Sequence, residues 1–310
     1  MKENSMNLIV AIDDNYLEPL KTMLYSLICN NSDDSIKVFL LYGDDLSKRS
    51  RKSLSAFLKK FNTVELEKIY IDRSVFGDAP RLEYWGEEIY FRILSPYILP
   101  VDRALWLDAD IIVNKSLHEL YFREIDDAYI VAAKDIGGIG ESAVQRLGLP
   151  QKHIYFNSGV ILFNLKRIRD EISKERFFKC ISDNKEILLY PDQDVLNICL
   201  QDGIKYCNCK LYNNAVWGTS VLSKDILYEI NNEAHIIHFY GPVKPWNSWY
   251  NLGKSRADEL WWRYEKRRGR YLQACIYRIK RFSALAKRKF KFLKRELYYI
   301  ILAQWKKLFH

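Results

Sequence analysis

The chain has 310 residues, of which 48% are hydrophobic, and it carries a formal net charge of +9. This composition supports a buried core and excludes intrinsic disorder for most of the chain. The charge is uneven, because residues 263–310 hold 16 lysines and arginines against two acids, which leaves about −5 for residues 1–262. We therefore predict a mildly acidic body over residues 1–262 and a basic tail over residues 263–310.

The six cysteines are scattered and fit neither a zinc site nor a redox CxxC pattern, so we expect reduced thiols. No secretory signal is recognisable, because the apolar run at residues 8–12 is short and leads directly into Asp13 and Asp14. No stretch approaches the ~20 apolar residues that span a bilayer. These observations predict a protein of the cytoplasm or of the cytoplasmic face of a membrane.

Short apolar runs alternate with helical periodicity through most of the chain. We predict strands over residues 7–12, 36–42, 64–71, 104–107, 129–133 and 160–164, and helices over residues 17–27, 46–61, 87–94 and 192–200. Pro96 is expected to stop the third of these helices, and Asp192 to cap the N-terminus of the fourth. Glycine-rich residues 136–140 predict a mobile or ligand-covering loop. The alternation predicts an α/β sheet with helices on its faces.

Acidic residues follow two of the predicted strands. Asp13, Asp14 and Asn15 follow the first strand, and Asp108 and Asp110 follow the strand at residues 104–107. Ligands of open α/β sheets bind beyond the carboxyl ends of the strands, and paired carboxylates can hold Mg²⁺ or Mn²⁺ there. The alternative, in which one aspartate caps a turn and the other is solvated, stays open for so short a motif.

A histidine and a lysine follow near the end of the acidic body. His238 comes after the apolar pair Ile236–Ile237, at a place where its imidazole could complete the coordination of a metal ion. The turn at Gly241 and the ammonium group of Lys244 could approach a phosphate. A structural histidine and a solvated lysine are the alternatives.

Five motifs in this order resemble glycosyltransferase family 8 over about residues 7–255: AIDDNY, LDAD, NSGVILFNL, PDQDVLN and HFYGPVKPW. The family contains retaining enzymes, among them bacterial lipopolysaccharide galactosyltransferases and glucosyltransferases. The resemblance implies a GT-A fold, which is a Rossmann-like α/β domain with a mostly parallel, mixed sheet. It also implies a UDP-sugar donor, Mn²⁺ or Mg²⁺ bridging the diphosphate, and transfer of galactose or glucose to a glycan or lipid-linked saccharide, as in lipopolysaccharide synthesis.

The resemblance further implies a role for each residue that matches a family motif. Asp108, Asp110 and His238 would bind the metal ion. The donor would contact Ala11, Asp13 and Asn15 with its uridine and ribose, and Gly241 and Lys244 with its diphosphate. Arg92 matches the family arginine near the donor, and Ala109 is the middle residue of the DxD motif. Asn157 and Ser158 would face the sugar ring, and Asp192 would bind sugar hydroxyl groups. Gln193 would lie beneath the anomeric carbon. Ala109 departs from the family, where a hydroxyl side chain is frequent, and this departure could alter a ribose contact.

Two features bear on the implied mechanism. The metal ion would neutralise the departing UDP. The amide of Gln193 is a poor nucleophile, so we favour a same-face route in which the UDP phosphate helps to deprotonate the acceptor. Residues 76–88, with Tyr84 and Trp85, match a loop that closes over the donor, where aromatic rings could stack on a sugar.

The basic tail places apolar residues at steps of three or four from Tyr271 onward, which predicts an amphipathic helix over residues 271–310. It could close the fold, bind nucleic acid or lie on an anionic membrane. Aromatic residues among the basic ones favour the membrane, on the cytoplasmic face of the inner membrane, and the acidic body disfavours nucleic acid. The alternatives to a transferase are a nucleotidyltransferase and a catalytically silent sugar-binding or scaffold protein.

Overall fold

The computed structural model describes residues 5–76, 90–217, 223, 228–230, 232–246, 258–277, 279–280 and 283. The strands among them are β1 (Ser5–Ala11), β2 (Ser35–Tyr42), β3 (Val64–Tyr70), β4 (Arg103–Leu107), β5 (Ile111–Val113), β6 (Ile130–Lys134), β7 (Phe156–Asn164), β8 (Ile204–Cys207), β9 (Asn214–Trp217) and β10 (Ile236–Tyr240). The numbered α-helices are α1 (Leu17–Asn30), α2 (Lys48–Leu58), α3 (Phe91–Ile98), α4 (His118–Phe122), α5 (Gly140–Arg146), α6 (Leu165–Glu171), α7 (Lys174–Asn184), α8 (Pro191–Cys199), α9 (Cys209–Tyr212) and α10 (Asp258–Arg267). Residues 228–230 and 271–277 are helical as well.

The main sheet has seven strands in the order β3-β2-β1-β4-β7-β6-β8. β7 pairs antiparallel with both β4 and β6, and the other pairs in this sheet are parallel. The predicted α/β fold with a mostly parallel, mixed sheet is therefore confirmed. All six predicted strands are present, with bounds that differ by a few residues. A second sheet has the order β5-β10-β9 and stands beside the end of β4.

Alternating side chains of the main strands enter two cores, one on each face of the sheet. Leu8 and Val10 of β1 pack with α1 and α2, whereas Ile9 between them packs with α3, α6, α7 and α8 on the opposite face. This alternation follows from the two-residue period of a strand. Since both faces are covered there, the inner strands β1, β2, β4 and β7 carry nearly continuous apolar runs, as the sequence indicated.

Two local predictions about helix ends are wrong. α3 continues through Pro96 to Ile98. A proline removes the donor that would bond to the carbonyl four residues earlier. That carbonyl belongs to Arg92, and the hydroxyl of Ser95 donates to it at 2.7 Å instead. α8 begins at Pro191, with Tyr190 in the capping position, so Asp192 lies in the first turn and its carboxylate is free for other partners.

Helix α10 crosses residue 262, where the sequence predicts the boundary between body and tail. Tyr264 and Glu265 are buried against the body. Beyond the helix, Arg268 pairs with both Glu18 of α1 (2.7 Å) and Glu265 (2.8 Å), and Arg270 pairs with Glu265 at 3.1 Å. Part of the basic segment thus binds Glu18 of the body, and the division into two domains stays a prediction. Among the described residues, no helix is both long and apolar enough to cross a bilayer.

Glu18 pairs with Lys21, Arg268 and Arg270, and this Glu18 cluster makes the stability of the fold sensitive to acid. Partial burial alone would raise the pKa of Glu18, but hydrogen bonds from Lys21 and Arg268 lower it to about 2, against 4.5 for a free glutamate. The ionised carboxylate therefore stabilises the fold above pH 4.5, and this contribution is lost as the pH falls toward 2. We expect Glu18→Gln to lower the free energy of unfolding in urea at pH 7, with a difference from the native protein that shrinks below pH 4.5.

The control for this experiment is Glu67→Gln, which removes a carboxylate from the exposed pair between Lys37 and Glu67. An exposed pair contributes ~0–1 kcal/mol, so this variant should follow the native protein closely at every pH. A Glu18→Gln curve that runs parallel to the native curve down to pH 2 would show that the cluster does not depend on the charge of Glu18.

Candidate functional site

The strand order reverses its direction between β1 and β4, and the predicted site residues meet at this point. The chain passes from β1 to β2 on one side, whereas β4 pairs with β1 on the other. Ala11 and Asp108 each lie two residues beyond the paired residues Ile9 and Trp106. Asp13 caps the 3-10 helix Asp14–Tyr16. Such a switch point is where open α/β sheets bind their ligands.

Asp108, Asp110 and His238 form one cluster, which we call the cation-binding group. Each offers one ligand atom, and the three atoms lie within 4.8 Å of one another. His238 Nε2 is 3.1 Å from Asp110 Oδ1 and 3.9 Å from Asp108 Oδ2. Two carboxylate oxygens and one imidazole nitrogen are a donor set that Mn²⁺ accepts well and Mg²⁺ tolerates. The residues that the sequence predicted for a metal ion are therefore brought together, and they fit one.

Lys244 and His238 keep Asp110 ionised. Burial alone would raise the pKa of Asp110, but the charge of Lys244 and the hydrogen bonds from Lys244 and His238 hold it well below its ordinary value. Lys244 Nζ donates to Asp110 Oδ2 and, at 2.9 Å, to the carbonyl of Phe239. Between β10 and Lys244 the chain turns back at Gly241. The φ of Gly241 is +74°, a conformation that favours glycine. The Gly241 turn thus places an ammonium group beside the cation-binding group.

Arg92 on α3 joins the cation-binding group to the neighbouring part of the site. Its guanidinium lies 3.1 Å from Asp108 Oδ1 and 3.1 Å from Asp192 Oδ2, and it stacks over the ring of Trp106. Another of its nitrogens donates to the carbonyl of Ser158. Only 5% of Arg92 is exposed, so the planar fork of an arginine holds these groups in a fixed relation.

The residues predicted to face a sugar lie side by side on β7 and α8. Gln193 Oε1 accepts from the amide of Asn157 (3.1 Å) and from the backbone N–H of Ser158 (2.9 Å). Ser158 Oγ donates to Asp192 Oδ2 at 2.9 Å. Burial raises the pKa of Asp192, and the charge of Arg92 opposes this rise only in part. β7 and α8 therefore present amide, hydroxyl and carboxyl groups at one place.

Two further residues of the PDQDVLN motif hold α8 in position. Asp194 is fully buried and accepts a two-pronged ion pair from Arg146, at 2.9 and 3.0 Å, besides a hydrogen bond from Tyr155. Asn197 exchanges hydrogen bonds of 3.0 and 3.1 Å with the backbone of Phe156 at the start of β7. In this motif Asp192 and Gln193 face the site, whereas Asp194 and Asn197 hold the helix in place.

Two polar residues of the site, Asp135 and Asn213, were not predicted from the sequence. Asp135 follows β6 and accepts from the amides of Gln193 (3.2 Å) and Asn157 (3.3 Å). It follows a strand, just as Asp13 and Asp108 do, so the same signal could have found it. Asn213 precedes β9, and its Oδ1 is 2.9 Å from His238 Nδ1. An asparagine in a turn gives no comparable signal.

Residues 7–250 match the sequence profile of the family described as glycosyl transferase family 8. The chain belongs to glycosyl transferase family 8. A family 8 protein is a glycosyltransferase, so the predicted family and class of enzyme are confirmed. The predicted loop at residues 76–88 lies outside the described residues of this family 8 chain, apart from Phe76.

Similar proteins agree with the family 8 assignment. A lipopolysaccharide 1,2-glucosyltransferase of Escherichia coli is 31% identical over 263 residues, which are 82% of this chain and 77% of that protein. A lipopolysaccharide 1,3-galactosyltransferase of Salmonella typhimurium is 26% identical over 79% of this chain and 74% of its own length. The crystal structure of the galactosyltransferase LgtC with donor and acceptor sugar analogues superimposes with a TM-score of 0.70 at 25% identity, covering 84% of this chain and 95% of LgtC.

Proposed function

We propose that this glycosyltransferase moves a hexose, galactose or glucose, from a UDP-sugar to a glycan acceptor with retention of configuration. The acceptor is proposed to be a lipopolysaccharide or another cell-surface polysaccharide. The supporting observation is the cation-binding group at the switch point of the sheet, in a chain similar to lipopolysaccharide glucosyl- and galactosyltransferases. A nucleotidyltransferase or a silent sugar-binding protein finds no support among these relatives.

Asp108, Asp110 and His238 would hold Mn²⁺ or Mg²⁺. The ion supplies Lewis-acid neutralisation of the charge that develops on the departing diphosphate. Lys244 adds a second positive charge at the same place, and the turn at Gly241 brings backbone close to it. Both residues would therefore contact the diphosphate. Preorganised charge in a buried site stabilises the charge of a transition state strongly.

The remaining residues would divide the donor between them. Ala11, Asp13 and Asn15, at the end of β1, would contact uridine and ribose, with Ala109 and Arg92 nearby. Asn157, Ser158 and Asp192 would bind hydroxyl groups of the hexose. Gln193 would lie beneath the anomeric carbon, and both ends of its amide are already engaged by Ser158, Asn157 and Asp135. A neutral amide held in this way supports the same-face route over a covalent intermediate.

The tail is proposed to attach the enzyme to the cytoplasmic face of the inner membrane through residues 271–310. Residues 271–277 are helical, and Tyr277 is buried and stacks on Trp262 at 4.7 Å. Leu272 and Ile279, in contrast, are each 69% exposed. Exposed aliphatic side chains in a basic segment suit the boundary of an anionic bilayer, beside a lipid-linked acceptor. Residues 278, 281–282 and 284–310 of the predicted tail helix lie outside the described residues.

The experiment that tests the function measures UDP release from a panel of UDP-sugars with Mn²⁺ and with EDTA. We expect release that depends on the metal and favours one hexose. Asp110→Ala should lower it ~10²-fold or more, because a single group that stabilises developing charge is worth about that factor. Asp102→Ala is the matched control, since Asp102 lies at the opposite end of β4 in an exposed pair with Arg169. Absence of both release and metal-dependent UDP binding would contradict the proposal.

A further inference from the structure

We propose that Asn213 is a positioning residue that fixes the tautomer and the orientation of His238, so that the Nε2 lone pair points into the cation-binding group. The inference rests on the proposed function, because it concerns the ion that the transferase would hold. Its basis is a chain of hydrogen bonds that begins at a backbone N–H group, where the direction of donation is not open to choice.

The first step in this chain orients Asn157. The backbone N–H of Gly159 can only donate, and it lies 3.0 Å from Asn157 Oδ1. The amide nitrogen of Asn157 faces Asp135 Oδ2 at 3.3 Å, and a carboxylate can only accept. Both partners therefore require the same orientation of the Asn157 amide, with its oxygen toward Gly159.

The second step orients Asn213. Its Nδ2 lies 2.9 Å from Asn157 Oδ1, which the first step identifies as an acceptor. Asn213 must then donate to Asn157, so its own Oδ1 is the atom that faces His238. Asn213 is fully buried at the end of α9, and its backbone N–H donates to the carbonyl of Cys209 at 3.1 Å. The side chain is thus held on both sides, away from solvent.

The third step fixes the imidazole. Asn213 Oδ1 is 2.9 Å from His238 Nδ1, and an amide oxygen only accepts, so Nδ1 carries the proton. An imidazole that ligates a metal ion is neutral, so when the ion is held its lone pair must lie on the other nitrogen, Nε2. Nε2 is the atom that faces the cation-binding group, 3.1 Å from Asp110 Oδ1. Partners that orient a ligand histidine in this way typically change metal affinity by ~10–100-fold when they are removed.

The test compares Asn213→Leu with Asn214→Leu. Asn214 is the next residue, it is also buried, and its amide donates to the carbonyl of Lys210 and not to the site. Any harm caused by a leucine at the start of β9 is therefore shared by both variants. We expect Asn213→Leu to weaken Mn²⁺ binding in the presence of UDP by ~10–100-fold in calorimetry, and Asn214→Leu to bind as the native protein does.

A second readout follows the tautomer itself. Long-range ¹⁵N NMR of histidine-labelled protein with UDP and diamagnetic Mg²⁺ reports which ring nitrogen carries the proton, and the His238→Ala spectrum assigns the signal among the five histidines. The native protein should show the Nδ1–H form, and Asn213→Leu should lose it. Asn213→Asp loses the hydrogen bond to Asn157 Oδ1 but retains an acceptor for Nδ1. It should therefore retain the Nδ1–H form and bind Mn²⁺ more tightly than Asn213→Leu.

The outcomes are separable. If the native protein binds no Mn²⁺ in the presence of UDP, the proposed function fails. If the native protein binds Mn²⁺ and Asn213→Leu does so equally well with an unchanged tautomer, the positioning role is overturned while the function stands. Equal losses in Asn213→Leu and Asn214→Leu would also overturn it, because the loss would then reflect the local fold.

Discussion

Replacing Gly159 with alanine is expected to abolish metal-dependent UDP release while the protein stays folded. A Cβ atom at this position would lie 2.3 Å from His238 Cε1 and 2.8 Å from Asp108 Oδ2, two of the proposed metal ligands. The backbone of Gly159 cannot easily move away, because its carbonyl accepts from Asp108 at 2.9 Å and its N–H donates to Asn157 at 3.0 Å. The ligands would have to move instead.

We expect Mn²⁺ affinity of Gly159→Ala to fall ~100-fold or more, beyond the loss of an orienting partner, because two ligands are displaced together. The free energy of unfolding should fall by only ~1–3 kcal/mol, as for one extra methyl group in a packed region. Gly140→Ala is the control, since its added Cβ would lie 3.7 Å from the nearest atom, an ordinary contact. Native Mn²⁺ affinity in Gly159→Ala would contradict this account of the site.

Asp194→Asn is expected to destabilise the protein by about 3 kcal/mol, because it removes the charge of a fully buried carboxylate that pairs with the half-buried Arg146. Asp194 Oδ2 accepts from the backbone N–H groups of Leu189 (2.9 Å) and Tyr190 (3.0 Å), and Oδ1 accepts from Tyr155. Whichever way an asparagine amide is turned, its NH₂ group faces donors. The first turn of α8, with Asp192 and Gln193, should lose its fixed position, so UDP release should fall as well.

The matched control is Asp183→Asn, which makes the same substitution in the exposed pair between Lys179 and Asp183 on α7. An exposed pair within one helix contributes well under 1 kcal/mol, so this variant should unfold in urea at nearly the native midpoint. Coincident unfolding curves for the two variants would show that the Asp194 pair does not hold α8.

The sequence predicted the parts of the site that have local signals. Asp108 and Asp110 follow an apolar strand directly, so their place at the edge of the sheet could be inferred from neighbouring residues alone. The direction of β7 could not, because an apolar run has the same appearance in either orientation. Its antiparallel pairing with β4 sets Gly159 beside Asp108, and this contact depends on the register of two distant strands.

Of the two errors at helix ends, one could not have been avoided from the sequence and the other could. Pro96 was expected to end α3, but the hydroxyl of Ser95 takes over the missing hydrogen bond, and the sequence gives no means of knowing that in advance. The start of α8, in contrast, was available. Pro191 is favoured at the first position of a helix, and this preference places Asp192 inside the first turn, where it can reach Ser158 and Arg92.

The cation-binding group is assembled from residues made at very different times. Asp110 and its partner Lys244 are 134 residues apart. At ribosomal rates of ~5–20 residues per second, both aspartates therefore wait on the order of 10 s for the histidine and the lysine. A nascent chain in that interval, or one cut short by premature termination, has the carboxylates without the third ligand. Donor turnover by this site therefore requires a chain synthesised at least as far as Lys244.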